Sequence, residues 1–192
     1  SDQVIGTYRL LTPTAAKRMG RLYTEQEFEL FGTESIRDRM VELGRSCVHP
    51  DFRQGSVIMG LWGALATFMM NNHLDYMIGC ASIPMLQNGI ASLNHAKGVW
   101  QQIQASSQTS DVHRAVPKLA LPLEPLDGNP LRVEVPALIK GYLRIGAKVM
   151  GPPAWDPDFN TADLPILMNW NELSPRYAKH FSQSHPPLRT HS

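Results

Sequence analysis

The 192-residue chain predicts an α/β fold. Strand-like and helical patterns alternate along it, and the stretch from Glu42 to Ile83 reads as a polar-tipped strand, a short Arg-Gln-Gly turn, an amphipathic helix and an apolar strand. A hydrophobic content of 43% with a net charge of +1 suits one buried core, so residues 1–182 are expected to form a single domain followed by a flexible tail at 183–192.

Each element rests on its own pattern. Val4 to Leu11 reads as a strand, and Pro13 to Met40 as a helical or irregular stretch carrying Tyr23, Phe28 and Phe31. A strand near Val41 to Val48 follows. Apolar residues then fall at Val57, Ile58, Leu61, Trp62, Leu65, Phe68 and Met69, which is the spacing of a helix from about Ser56 to His73. Tyr76 to Ile83 is a strand and Gly89 to Gln104 a helix. Pro117, Pro122, Pro125 and Pro130 interrupt residues 105–135, which reads as a surface excursion too short for a second domain. Leu138 to Gly146 is helical, with Gly146 a natural stop. A strand at Ala162 to Met168 and a helical turn at Ser174 to Phe181 end the pattern.

Near-neutral charge excludes a global polyanion binder. No run approaches the ~18 to 20 apolar residues that span a bilayer, and no charged-then-apolar leader opens the chain. Cys47 and Cys80 each sit in an apolar strand pattern and read as two buried thiols in a reducing cytosol. The histidines show no metal-like pair spacing. Asp156, Asp158 and Asn160 begin like a calcium loop, but Thr161 stands where its glycine is needed and Leu167 where its glutamate should be. That segment reads as a turn whose side chains cap backbone N–H groups, with Asp163 entering a strand, and no metal is expected.

The turn after Val48 carries chemistry. A helix starting at Ser56 leaves its first N–H groups unpaired and its positive dipole end facing the loop, which suits a pyrophosphate or phosphopantetheine anion. Gly55 lets the backbone come close, and Arg53 adds charge. The bland alternative is an ordinary crossover with a glycine at a tight turn.

Val48, Pro50, Arg53 and Gly55 resemble the acyl-CoA loop V-x-P-x-x-R-x-G-x-G/A of the GNAT acyltransferase superfamily. Val57 replaces its second small residue, a departure compatible with a donor lacking adenosine diphosphate, such as acyl carrier protein. Ile5 to Pro13 resembles the G-x-x-R-L-L-P-T segment of acyl-homoserine-lactone synthases, and Glu42 to Arg45 their E-x-x-R. Pro136 to Ala147 and Asp158 to Asp163 resemble the P-x-L-x-K-G-Y-L-R-x-G and F-N-x-x-D segments of the ornithine N-acyltransferases of ornithine-lipid synthesis, some of which are labelled hemolysin-like.

The resemblance implies a GNAT-like mixed sheet flanked by helices, without the usual amino-terminal strand and helices. It also implies a cytoplasmic enzyme, with peripheral contact at the inner membrane as an option. Such an enzyme moves a long, 3-hydroxylated acyl group from acyl carrier protein, or from CoA as the less favoured donor, to the α-amine of ornithine. The rivals are an N-acyl amino acid or acyl-homoserine-lactone synthase and, from a different class, a membrane-binding or lytic protein.

The same resemblance assigns candidate residues. Glu42 is the candidate base, against an ion pair with Arg45 or Arg9 that orders the sheet. In a regular strand Glu42 and Arg45 fall on opposite faces, so they share a site only through a bulge, and Arg45 reads as structural or donor-side. Arg9 could hold the acceptor carboxylate through a bidentate pair, or be a sheet-edge arginine. Ser82, with Cys80, lies where a splayed strand would carry the thioester arm. Arg53, Gln54, Gly55, Ser56 and Val57 would bind the phosphate. Lys140, Arg144 and Lys148 recur every four residues and would form one stripe on a 138–148 helix. That stripe is a dock for the acidic helix of acyl carrier protein, a solvated face, or a contact for lipid headgroups. Met69 and Met70, with Met59, Met77 and Met85, read as core filler before an acyl tunnel.

Overall fold

The computed structural model describes residues 3–53, 55–87, 90–91, 93–106, 110, 112–122 and 133–173. In chain order the elements are β1 (Gly6–Leu11), α1 (Pro13–Met19), α2 (Thr24–Glu27), β2 (Phe28–Phe31), β3 (Met40–Val48), α3 (Ser56–Asn71) and β4 (Tyr76–Pro84). A small hairpin of β5 (Leu86–Gln87) and β6 (Ile90–Ala91) precedes α4 (Leu93–Ala105), β7 (Arg114–Pro117), α5 (Ala137–Ile145), β8 (Lys148–Val149), β9 (Ala154–Asp156) and β10 (Thr161–Asn169).

Six strands form one mixed sheet, in the order β1, β3, β4, β10, β8, with β9 also on β10. Among the described residues of this sheet only β3 and β4 are parallel, and the other pairs are antiparallel. The parallel pair is joined by α3, as a crossover requires. Pro165, which has no N–H to give, sits on β10 in the gap between the residues that pair with β9 and those that pair with β8.

Period-2 alternation divides the core between the two faces of the sheet. Val41, Met77, Ala162, Leu164, Ile166 and Met168 meet Leu65, Ala66 and Met69 of α3, Val99, Trp100 and Ile103 of α4, and Ile139 of α5. Met40, Ile78 and Leu167 point the other way, onto Leu11, Phe28, Ala115 and Met150. Helices therefore cover the first face fully, and the second is closed at one end only.

Several expectations change. The stretch Pro13 to Met40 holds two short helices, β2 and a 3-10 segment at Glu34–Arg39. Thr12 caps α1, accepting from Ala15 N–H at 3.3 Å, and Gly20 at φ 74° ends it. The excursion at 105–135 contains β7, which pairs with β2 from Phe28↔Pro117 to Phe31↔Arg114 and buries Ala115. The fourth helix begins at Leu93 rather than Gly89. Gly146, at φ 111°, stops α5, so Lys148 lies in β8 and the helical basic stripe reduces to Lys140 and Arg144. Cys47 is exposed, not buried. The expected turn at Ser174 to Phe181 lies outside the described residues.

Candidate active site

The parallel pairing of β3 and β4 covers Met40↔Tyr76, Val41↔Met77 and Glu42↔Ile78, and then the strands part. At the parting, Gly79 lies so close to Leu43 that a Cβ there would sit 2.6 Å from the Leu43 carbonyl oxygen. On the other side of β3 the register against β1 shifts between Thr7↔Cys47 and Arg9↔Gly44, and Arg45 adopts φ 53° within that shift. This bulge resets the alternation of the strand. Glu42 and Arg45, which a regular strand would send to opposite faces, line the same cleft.

The cleft has a volume of about 610 Å3. It lies on the sheet face away from α3, bounded by β1, β3, β4, β9, β10 and the α2 segment. Glu42, Arg45, Arg9 and Ser82 all line it, so the candidate catalytic and acceptor-binding residues come together. Ser82 is exposed and faces Asp163 across the β4–β10 ladder.

Glu42 is 3% exposed and strongly tied. One of its oxygens accepts from Tyr23 N–H and the other from Thr24 N–H and the Thr24 hydroxyl, each at 2.6 Å. Such a set holds a carboxylate as an anchor. Its partners are not the arginines: among the described residues neither Arg9 nor Arg45 forms an ion pair or hydrogen bond, and Arg45 lies over the Phe159 ring at 5.7 Å. Two unpaired guanidinium groups in one cleft are suited to a carboxylate.

A second charged group lines the same cleft. Carboxylate oxygens of Glu27, Asp156 and Asp163 lie within 4.8 Å of one another. Asp163 is 5% exposed, and its Oδ1, like Oε2 of Glu27, is sealed from water. Burial, and then the charge of Asp163, pushes the Glu27 carboxyl up to about 8. Burial also raises the Asp163 carboxyl, against the polar side chains of Ser82, Glu27 and Thr161 that hold it down. Crowded carboxylates of this kind relieve their repulsion by keeping a proton between them. Asp156 also caps the following turn, accepting from Asp158 N–H at 2.9 Å and Phe159 N–H at 3.1 Å, as its sequence suggests.

Glu27 and its pairing with Asp163 were not legible in the sequence. Thr24-Glu25-Gln26-Glu27 looks like a solvated acidic stretch, and only the wholly buried Phe28 that follows hints at a fixed backbone. Cys80 donates to the Thr24 hydroxyl at 3.8 Å. Burial and the neighbouring carboxylates push its thiol pKa well up, which keeps it a thiol and not a nucleophile.

The anion-binding candidates lie apart from the cleft, at the far end of β3. Gly55 is the N-cap of α3 with φ 89°, a conformation that glycine adopts without strain, and no acidic residue occupies the first turn. Arg53 is exposed, its Nε donating to the Val48 carbonyl at 3.4 Å. Val57 packs over β1, where Gly6 makes room: a Cβ on Gly6 would lie 2.7 Å from Val57 Cγ1. The larger residue is thus absorbed by the sheet. Gln54 lies outside the described residues. On α5, Lys140 pairs with Glu134 at 3.3 Å, and Arg144 is exposed.

Comparison with known proteins identifies relatives of the chain. Residues 1–63 match the family described as Acetyltransferase (GNAT) domain. The L-ornithine N(alpha)-acyltransferase of Rhodobacter capsulatus is 32% identical over 187 residues, covering 95% of this chain and 70% of that protein. The enzyme of the same name from Agrobacterium fabrum is also 32% identical, covering 94% of this chain and 63% of that one. Among solved structures, a CoA-dependent acyl-homoserine lactone synthase with SAM and isopentyl-CoA aligns with a TM-score of 0.47 and 12% identity, over 95% of this chain and 59% of the other. The chain spans roughly two thirds of the length of these curated relatives, and it belongs to the L-ornithine N(alpha)-acyltransferase family of acyltransferases, with an amino-terminal match to the GNAT domain.

Proposed function

We propose that the protein transfers an acyl group from a phosphopantetheine thioester to the α-amine of an amino acid, with ornithine the first acceptor to test. The observation that carries this reading is the polarity of the cleft: unpaired Arg9 and Arg45 on one side, buried carboxylates on the other, and parting strands between. Arg9 and Arg45 hold the acceptor carboxylate. The α-amine then faces the acidic side.

The donor phosphate rests on the first N–H groups of α3, beside Arg53, Gln54, Gly55, Ser56 and Val57. From there the pantetheine arm follows the gap between β3 and β4 past Ser82. The amine attacks the thioester carbonyl, the tetrahedral oxyanion is met by N–H donors freed where β3 and β4 separate, and collapse expels the thiol. Glu42 takes part as the carboxylate that fixes the Tyr23–Thr24 turn, and its hydrogen bonds favour this anchoring role over direct proton transfer.

Acyl carrier protein is the proposed donor and a long, 3-hydroxylated chain the proposed cargo, with Lys140 and Arg144 of α5 as the dock and peripheral membrane contact at product release. The test is direct. Purified protein is given acyl carrier protein and CoA thioesters with a panel of amino acids, and the products are weighed by mass spectrometry. An N-acyl amino acid supports the reading, and its absence with every donor sinks it. Equal vesicle lysis by wild type and Glu42→Gln, with no product from either, favours the lytic alternative.

A further inference from the structure

We propose that Glu27, held against Asp163, is the proton acceptor for the attacking amine. This rests on the acyl-transfer reading of the cleft and adds to it a residue that the sequence did not single out. The acidic side of the cleft is a built feature. Asp163 is 5% exposed, its Oδ1 and Oε2 of Glu27 are sealed from water, and the Glu27 side chain lines the cleft against it. Two carboxyls packed together away from water favour a shared proton, so the one that lines the cleft is placed to exchange a proton with a bound group.

The position of Glu27 is fixed from several directions. Glu42 ties down Tyr23 and Thr24 just ahead of it, Phe28 is wholly buried just after it, and its own carbonyl accepts from Lys118 N–H at 2.8 Å. The charged groups around it are unequal. Asp163 from β10, Asp156 from β9 and Glu42 from β3 all act to keep a proton on Glu27. The Cys80 thiol of β4 is neutral, while Lys118, Arg9 and Arg45 line the same cleft, with the Lys118 ammonium engaged by the Glu25 carbonyl at 2.6 Å. A carboxylate so placed is a far stronger base than a solvated one, and its proton affinity approaches that of the amine it must serve.

The step balances without a further reactant. The acceptor enters as an ammonium, and one N–H proton passes to the Glu27 carboxylate. The freed lone pair forms the C–N bond as the carbonyl π pair moves to oxygen. Collapse re-forms the C=O bond and breaks C–S, with the electron pair leaving on sulfur. The second N–H proton ends on the thiol, and Glu27 later returns its proton to solvent, so each turnover releases one proton.

The experiment measures kcat, acceptor KM and their pH profiles for wild type, Glu27→Gln and Asp163→Asn, with ornithine and an acyl carrier protein thioester. Glu27→Gln is expected to lower kcat by about 100-fold or more, to keep acceptor KM within about threefold, and to abolish the rising limb of the kcat profile. Asp163→Asn removes the charge that raises Glu27 and should move that limb to lower pH. Retention of kcat, or a loss confined to KM, would overturn the proposal and leave Glu27 a cation grip. Product formation by wild type separates these outcomes from failure of the acyl-transfer reading itself, and circular dichroism of each variant separates them from misfolding.

Discussion

The two faces of the sheet solve different problems with the same strand. On the helix-covered face, β10 contributes Ala162, Leu164, Ile166 and Met168 to one apolar cluster. Its opposite face carries Thr161 and then Asp163, a carboxylate withdrawn from water, before Pro165 and Leu167 return it to apolar packing. One face is apolar packing throughout, and the other sets buried charge beside a smaller apolar cluster. The cleft depends on the stability of the face behind it, since burying a carboxylate is unfavourable on its own.

The most damaging way to break this division is from the helix side. Leu164 is fully buried between α3, α4 and the sheet. Leu164→Ala should cost about 3 kcal/mol, measured by urea unfolding, because the strand cannot collapse into the void. Any acyl-transfer rate that survives below the new transition should be nearly unchanged, since Leu164 does not line the cleft.

The converse variant acts on the cleft. Arg9 is exposed and unpaired among the described residues, so Arg9→Ala should leave stability within about 0.5 kcal/mol. Loss of a charge-assisted contact to the acceptor carboxylate, worth about 1.5 to 3 kcal/mol, should raise acceptor KM roughly 10- to 100-fold. An Arg9→Ala enzyme with unaltered KM would remove the carboxylate-binding role from this side of the cleft.

Legibility in the sequence followed the same division. The covered face could be read because α3 repeats apolar residues at helical spacing and Gly146 stops α5 where its missing Cβ permits φ 111°. β2 and β7 escaped because four-residue strands such as Arg114–Pro117, inside a proline-rich stretch, carry too short a pattern. The E-x-x-R spacing left Glu42 and Arg45 either in one site through a bulge or in separate roles, and nothing in an arginine code announces φ 53°. Glu27 was silent for another reason. Its character comes from Asp163, far along the chain, and pairings of that range leave no periodic trace.

A smaller effect grows with pH. The Glu27 carboxyl titrates at about 8 in the folded chain, against an ordinary value of 4.5, so between these values the folded state binds more protons than the unfolded one. Its contribution to stability is complete below about pH 4.5 and is lost as pH rises toward 8. Glu27→Gln, which cannot ionise, should therefore gain on wild type across that interval. Because the residue is only half-buried, the gain should be about 1 to 2 kcal/mol and not the full linkage value. Thermal melts at pH 5 and pH 8 measure it, and parallel curves for the two proteins would show that the acidic cluster is not strained.

The smallest expected effect lies outside both faces. Lys140 and Arg144 share α5, whereas Lys148 follows the Gly146 stop and belongs to β8. If a carrier protein docks on α5, Lys140→Glu with Arg144→Glu should raise the KM for its thioester roughly 3- to 10-fold, more at low salt than at high, as expected for exposed charges worth under about 1 kcal/mol each. Lys148→Glu should change it by less than about twofold, because the helix stop takes that side chain out of the α5 stripe. Equal losses from all three positions would mean that the partner recognises net charge over a wide surface, and not one helix.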